Sequence, residues 1–368
     1  MEIERLKQAL KGVEDPRRTD RGHVLHKLED ILIIGLCTIV CNGRDFEDME
    51  EFGTAREAWL RAFLELPNGI PDADTFRRIF ERIEPHALSG CLYDWLANNR
   101  QEGGVISVDG KTICGSKNAD HKAYHVVSAF VAENQITLGE LAAEEKSNEI
   151  TAVPELLESL DIKDSIITAD AMSCQKEIVK TITRKKADYV ITLKRNQPGL
   201  LENVALYFDN FEKELPLLSA TEKGHGRIEK REYRLLTDLS WLPEQRDWAG
   251  LKAVGAVKST VTKNGETSTY IRYFISSLTD IQRFAHSVRC HWSIENQLHW
   301  CLDVIFDEDA SRARKDLSPL NLNVLRKVAL TLCKNCRDPA LRKSSLQKRR
   351  FRASLNPDTF LHILFGRF

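Results

Sequence analysis

Val105-Ile-Ser-Val-Asp-Gly110 and Ser165-Ile-Ile-Thr-Ala-Asp170 decide how this chain is read, because each is a short β-branched run closing on a carboxylate. Such runs, bounded by turn residues, predict strands. Both aspartates are then expected at strand C-termini, where α/β sheets commonly place ligand sites. A strand-end Asp also caps turns, and Asp109-Gly110 is a good turn dipeptide. Neither residue identifies a site alone; their order among the other elements carries the argument.

Between the two runs stand YHVVSAFVA (124–132) and QITLGELAA (135–143), read as strands, and an amphipathic helix near Ala152–Leu160. Beyond Asp170 come a helix near Gln175–Arg184 and a strand Asp188–Leu193. This alternation predicts a mixed α/β sheet. From Gln197 to about Leu278 a helix precedes three extended segments, RIEKREYRLL, LKAVGAVKSTV and TSTYIRYFISSL, which predict a β-rich insertion. Helical texture returns from Ile281 to about Phe306 and continues as a basic region to Phe368. Upstream, residues 1–100 read as helical: Ile31–Cys41 is an apolar helix, Phe46–Leu64 has helical spacing, and Asp74 is placed to cap Thr75–Ile83. The expected organisation is a helical N-terminal domain over 1–100 and a catalytic domain over 101–368, interrupted at about 198–278.

Composition narrows the class. At 368 residues the chain exceeds one ordinary domain of roughly 100–200 residues, and 42% hydrophobic with 29% charged residues is the profile of a folded protein. The longest uncharged apolar stretch, Ile31–Asn42, falls short of the roughly 18–20 residues that span a bilayer. The start, MEIERLKQALKG, lacks the apolar run of a secretory signal, so a cytoplasmic protein is expected. Nine scattered cysteines, an odd number, suit reduced core thiols; Cys333 and Cys336 lack the second ligand pair that a zinc site needs. Net charge is only −1, but it is segregated: residues 1–100 carry 14 Lys/Arg against 19 Asp/Glu, and residues 310–352 carry 13 against Asp316 and Asp338. The latter block can lie along phosphates or form a solvated face.

Strand-Asp, two further strands, a helix, strand-Asp and a late helix-Glu is the order of a ribonuclease-H-like core. Glu295 lies 125 positions after Asp170, in RCHWSIENQLHW, and a helix crossing the sheet edge would bring it beside the aspartates. Three such carboxylates suit two Mg²⁺ or Mn²⁺ ions about 3.5–4 Å apart, one activating a water or 3′-hydroxyl and the other stabilising the leaving oxygen.

At this point the chain resembles the H-repeat-associated transposases of the DDE superfamily, found near bacterial rearrangement-hotspot elements. The resemblance covers nearly the whole chain. Its N-terminal part is carried by DPRR (15–18), HKLEDILIIGLCTIVCNGRDFEDMEEFG (26–53) and LPNGIPDADTFRRIF (66–80). Its core is carried by VDGKTI (108–113), ITADAMSCQ (167–175), ITLKRNQP (191–198) and HGRIEKREY (225–233), and most specifically by RCHWSIENQLHWCLDVIFDEDASR (289–312). The resemblance implies Asp109, Asp170 and Glu295 as metal ligands, selecting Glu295 over neighbours such as Glu308. It also implies a core split by the β-rich segment, a nucleoid-associated protein when on DNA, and at least a dimer there. In the hairpin-forming branch of the superfamily an Arg stands four before the Glu and a Lys seven after; here those places hold His291 and Leu302.

Further candidates for DNA contact surround the triad. His291, Glu295 and His299 recur at i, i+4 and i+8, and hydrogen bonding to phosphate or carboxylate is the favoured role of the two histidines. Lys194, Asn196 and Gln197 follow a strand, where they can grip DNA backbone or simply form the turn. Arg227 can face phosphate or solvent, and Arg312, Arg349 and Arg350 belong to the basic block. Trp292 and Trp300 are expected to pack in the core. The expected function is an insertion-sequence transposase that binds terminal inverted repeats, cleaves phosphodiesters and joins the ends to target DNA. An idle DNA-binding relic and a stand-alone nuclease are the alternatives.

Overall fold

The structure, a computed structural model, describes residues 2–18, 24–97, 103–119, 121–143, 149–224 and 226–365. His225 of the HGRIEKREY stretch lies outside them. Contacts divide the chain into two units, one of residues 1–100, 110–146 and 295–368, the other of 101–109 and 147–294.

In the second unit β1 (Val105–Thr112), β4 (Ile166–Ala169) and β5 (Asp188–Leu193) run parallel; α6 (Glu149–Ser159) precedes β4, α7 (Lys176–Arg184) makes the crossover between β4 and β5, and α8 (Pro198–Phe211) follows β5. The predicted insertion is no separate module, because its strands prolong this sheet. Val190–Leu193 of β5 pair antiparallel with Ser276–Tyr273 of β9 (Glu266–Ser276), and β8 (Ala253–Lys263), β7 (Arg227–Leu236) and β6 (Leu217–Gly224) follow in order. An open β5 edge would expose a row of unpaired backbone groups, and β9 covers it. The β8–β9 hairpin turns at Asn264-Gly265, both at positive φ, as an Asn-Gly hairpin turn requires. Edge strand β6 escapes the sequence reading because nearly all its residues are exposed, so no apolar alternation marks it. Helix α9 (Ile281–Ser293) lies on the sheet, with Phe284, Ala285 and Val288 in one cluster with Val105, Ile166, Val190, Tyr233 and Phe274. Gly255 admits the Phe284 ring: a Cβ there would stand 2.3 Å from it.

The first unit holds α1 (Glu2–Leu10), α2 (Leu28–Val40), α3 (Phe46–Leu60), α4 (Ala73–Phe80), α5 (Pro85–Ala97), the antiparallel hairpin of β2 (His125–Val131) and β3 (Ile136–Ala143), and four C-terminal helices. These are α10 (Trp300–Val304), α11 (Ser318–Asn335), α12 (Leu346–Leu355) and α13 (Pro357–Phe365). Helix α11 is buried on every side from Ser318 to Cys333, and the apolar α2 is buried from Asp30 to Val40. Gly35 sets their approach, since a Cβ there would meet Leu325 at 3.3 Å and Phe80 at 3.1 Å. Asn321 of α11 donates to the carbonyls of Phe80 and Ile83 at 2.8 Å, satisfying groups at the end of α4. Asp72, not Asp74, caps α4 by accepting from Thr75 N at 2.7 Å, while Asp74 pairs with Arg77 at 2.6 Å. Helix α3 stops at Leu60, before the Leu64 that periodicity predicts, and Leu66 beyond it takes positive φ. Burial pushes the Cys174 and Cys333 thiols up to about 12, and all nine cysteines are free. Among the described residues no helix is long and apolar enough to cross a membrane.

The basic C-terminal block is much less of a surface than its charge count suggests. Arg326, Lys327 and Arg350 are all buried. Arg350 donates to the carbonyls of Ile39 (2.9 Å) and Ile305 and lies over the Phe306 ring at 3.9 Å; burial depresses its guanidinium to about 10. Arg349 turns inward too, donating to Cys333 O at 2.6 Å, Lys334 O at 3.2 Å and Ser344 O at 3.2 Å. Both arginines, expected on DNA, donate instead to main-chain carbonyls near helix ends. Arg349→Ala is therefore expected to cost about 1–2 kcal/mol of stability and to leave the salt dependence of DNA binding unchanged. Urea unfolding and a salt titration check this, and a flattened slope would return Arg349 to a DNA surface.

Candidate active site

Strand register brings the two aspartates together. Val105, Ile106, Ser107 and Val108 of β1 pair in turn with Ile166, Ile167, Thr168 and Ala169 of β4, so Asp109 and Asp170 are each the next residue. Side chains alternate along a strand. Val105, Ser107 and Asp109 thus share one face of β1, and Ile166, Thr168 and Asp170 continue the same face on β4. Asp109 does not end its strand, because β1 runs on to Thr112 and Asp109-Gly110 forms no turn. Asp170 does end β4: its carboxylate accepts from Met172 N at 2.9 Å, capping a short turn over Ala171–Ser173.

Helix α9 covers this face in sequence. Its apolar residues share a cluster with the first pair, Val105 and Ile166. At the second pair Ser107 Oγ donates to Cys290 O at 3.3 Å, Thr168 Oγ1 donates to Ser107 Oγ at 3.1 Å, and His291 Nδ1 lies 3.3 Å from Thr168 Oγ1. Asp109 and Asp170 follow the last pair of the register, Val108 and Ala169. Ser107 and Thr168 escaped the sequence reading, although a visible signal was there: each interrupts an apolar strand two places before an aspartate, and so shares its face.

From His291 the chain leads through buried Ile294 into a π-helical turn over Ile294–His299, a local widening that recurs at functional sites. The helix therefore does not keep the regular i, i+4, i+8 register through His299. Glu295 has a side chain 57% exposed, and its Oε2 lies 3.1 Å from Nδ1 of His299, which is buried. Glu308, the rejected neighbour, is fully buried against Lys111 (3.0 Å), Asn323 (2.6 Å) and Arg326 (3.9 Å).

The amides after β5 have a structural task. Asn196 donates to Ala171 O at 2.7 Å and Gln197 to Cys174 O at 3.0 Å, so both clamp the turn that Asp170 caps. Asn196→Ala is expected to cost about 1 kcal/mol of stability and to raise several-fold the divalent-cation concentration needed for half-maximal DNA cleavage. A metal titration matching the unmodified protein would limit Asn196 to an ordinary loop residue. Lys194 and Arg312 are exposed, and Arg227 is exposed with a 3.4 Å contact to Glu229. Trp292 and Trp300, expected in the core, are 39% and 52% exposed. The helical spacing that predicted packing places Trp292 on the outer side of α9, where Arg272 stacks 4.8 Å from its ring.

Asp109 and Asp170 are hard carboxylates, of the ligand type that a divalent cation prefers, and one Asp170 oxygen is engaged by a backbone N–H.

Residues 100–332 match a family described as "Transposase DDE domain", and residues 7–96 match a companion described as "DDE_Tnp_1-associated". "Putative transposase YncI" of Escherichia coli O157:H7 is 38% identical over 97% of this chain and 93% of its own length. "H repeat-associated putative transposase YhhI" of Escherichia coli K12 is 33% identical over all of this chain and 99% of its own length.

Proposed function

The chain belongs to the DDE transposase family, and from that premise we propose that it is the metal-dependent transposase of an insertion-sequence or H-repeat element, with a ribonuclease-H-like core. Asp109, Asp170 and Glu295 are its catalytic carboxylates. The observation that supports this reading is the register of β1 and β4, whose last pair is followed on each strand by an aspartate. Asp109, Asp170 and Glu295 would hold two Mg²⁺ ions, which would supply Lewis-acid activation of the attacking oxygen and stabilisation of the leaving one. Mn²⁺ substitutes for Mg²⁺.

The chain's own residues prepare that site. Asp170 is fixed by Met172 N and by the clamp from Asn196 and Gln197. His299 orients the Glu295 carboxylate through its Nδ1 contact. Lys194, Arg227, His291 and Arg312 face the DNA backbone, and exposed Trp292 beside Arg272 offers an aromatic and cationic surface to unstacked bases. The protein binds the terminal inverted repeats as a dimer or larger assembly, frees 3′-hydroxyls by hydrolysis, and joins them to target DNA. Both steps are in-line displacements at a phosphodiester, so one site serves both.

Incubating purified protein with a duplex from the DNA flanking its gene, target plasmid and Mg²⁺ tests this. Cleaved ends and joined products support a transposase. Cleavage without joining would reduce it to a nuclease, and binding alone to an idle relic.

A further inference from the structure

The motif stretches that carry the N-terminal resemblance have no place in the catalytic site, yet residues from all of them line one cavity in the first unit. It measures about 370 Å³ and takes Arg17 from DPRR, His26 from HKLED, and Ile70, Asp72, Thr75, Arg78 and Ile79 from LPNGIPDADTFRRIF. Arg82, one helical turn beyond Arg78, completes the basic wall. Two of the acidic groups nearby are already engaged: Asp15 grips Arg17 through both oxygens at 2.9 and 2.7 Å, and Asp72 caps α4. Among the described residues the ion pair of Arg78 is a 3.8 Å contact to Asp74, its side chain is largely exposed, and Arg82 has no ion pair. His26 Nδ1 is buried with no hydrogen-bond partner among the described residues, an orphaned polar atom at the cavity. Val24, Leu25, Ile70 and Ile79 supply an apolar wall, and Leu25 is 60% exposed.

We propose that this cavity takes one nucleotide of the DNA substrate, its phosphate against Arg78 and Arg82 and its sugar and base against the apolar wall. The inference rests on the DNA reading above and adds a contact to it, remote in sequence from the catalytic carboxylates. Paired cations beside an apolar wall suit a ligand with a charged and a flat face, as a nucleotide has. The free His26 nitrogen supplies a further hydrogen bond.

Thr75→Glu is the sharpest variant. A first-turn Glu favours the α4 N-terminus and faces Arg78 at i+3, so the helix keeps its stability while the cavity acquires a negative charge. Anisotropy of a short fluorescein-labelled duplex, cut from the DNA flanking the gene, is measured against salt for the unmodified protein, Thr75→Glu, and the Arg78→Ala/Arg82→Ala double variant. Thr75→Glu is expected to weaken binding at least about tenfold, and the double variant to reduce the log–log salt slope by about 1, near 0.9 for the one phosphate released. Thymidine monophosphate in millimolar excess is expected to compete with the duplex only weakly, because the remaining phosphate contacts hold the DNA. Unmodified binding and slope in both variants, with native circular dichroism, would overturn the inference while leaving the DNA reading intact. Failure of the unmodified protein to bind any duplex would overturn both. Complete competition by the mononucleotide would make this a free-nucleotide pocket and overturn it as a DNA contact.

Discussion

Asp109→Asn is expected to reduce Mg²⁺-dependent cleavage at least about a thousandfold, some 4 kcal/mol of transition-state stabilisation, with DNA binding retained. Asn matches Asp in size and fits the extended backbone of β1, so the strand and its register with β4 persist. What disappears is one negative charge and a hard ligand oxygen. Asp170→Asn makes an equally strict test, because Asn caps a turn as well as Asp does and the contact to Met172 N survives. A fall in cleavage in that variant reports ligand loss, not a broken turn. Each variant is assayed for duplex binding by anisotropy and for cleavage across a Mg²⁺ titration. Cleavage within tenfold of the unmodified protein in either would remove that aspartate from the site.

The strands that carry the two aspartates were legible, since VISVD and IITAD are apolar and β-branched, and period-two alternation assigns their faces. Glu295 was not legible in this way. Nothing local separates it from Glu308, since both sit in polar helical sequence, and only the resemblance chose between them. Burial supplies the physical difference: the Glu295 side chain is mostly exposed, whereas Glu308 is sealed among cations. The basic block misled for the opposite reason. A charge count cannot reveal that Arg350 bonds a carbonyl far away in sequence: Ile39 O lies 311 positions before it. Nor could periodicity fix the outward side of α9, where Trp292 meets Arg272 of β9. Local pattern fixes elements and faces; partners brought from far along the chain decide which charged residues turn inward.

Glu308→Ala should be the most destabilising single change in the first unit, at about 3–5 kcal/mol, because it strands a buried cation. Arg326 is 1% exposed, and its one ion pair among the described residues is with Glu308, at 3.9 Å. Lys111 is better provided, since Asp303 stays 2.7 Å away. Burial acts to raise the Glu308 carboxyl pKa, but Lys111, Arg326 and the Asn323 amide outweigh it and hold the carboxyl below its ordinary value. A carboxylate depressed in the folded state contributes stability that is present above its unfolded pKa of about 4.3. That contribution fades as pH falls through the lower folded value. The unmodified protein should therefore lose more stability below about pH 4.3 than Glu308→Ala does. Replacing both partners, Glu308→Ala with Arg326→Leu, removes the stranded charge and is expected to recover part of the loss, giving a double-mutant coupling of about 1–3 kcal/mol against the two single variants. Urea unfolding at pH 7 and pH 4 measures all three variants. A single-variant loss under about 1 kcal/mol, or strict additivity with Arg326→Leu, would mean that Glu308 and Arg326 do not depend on each other.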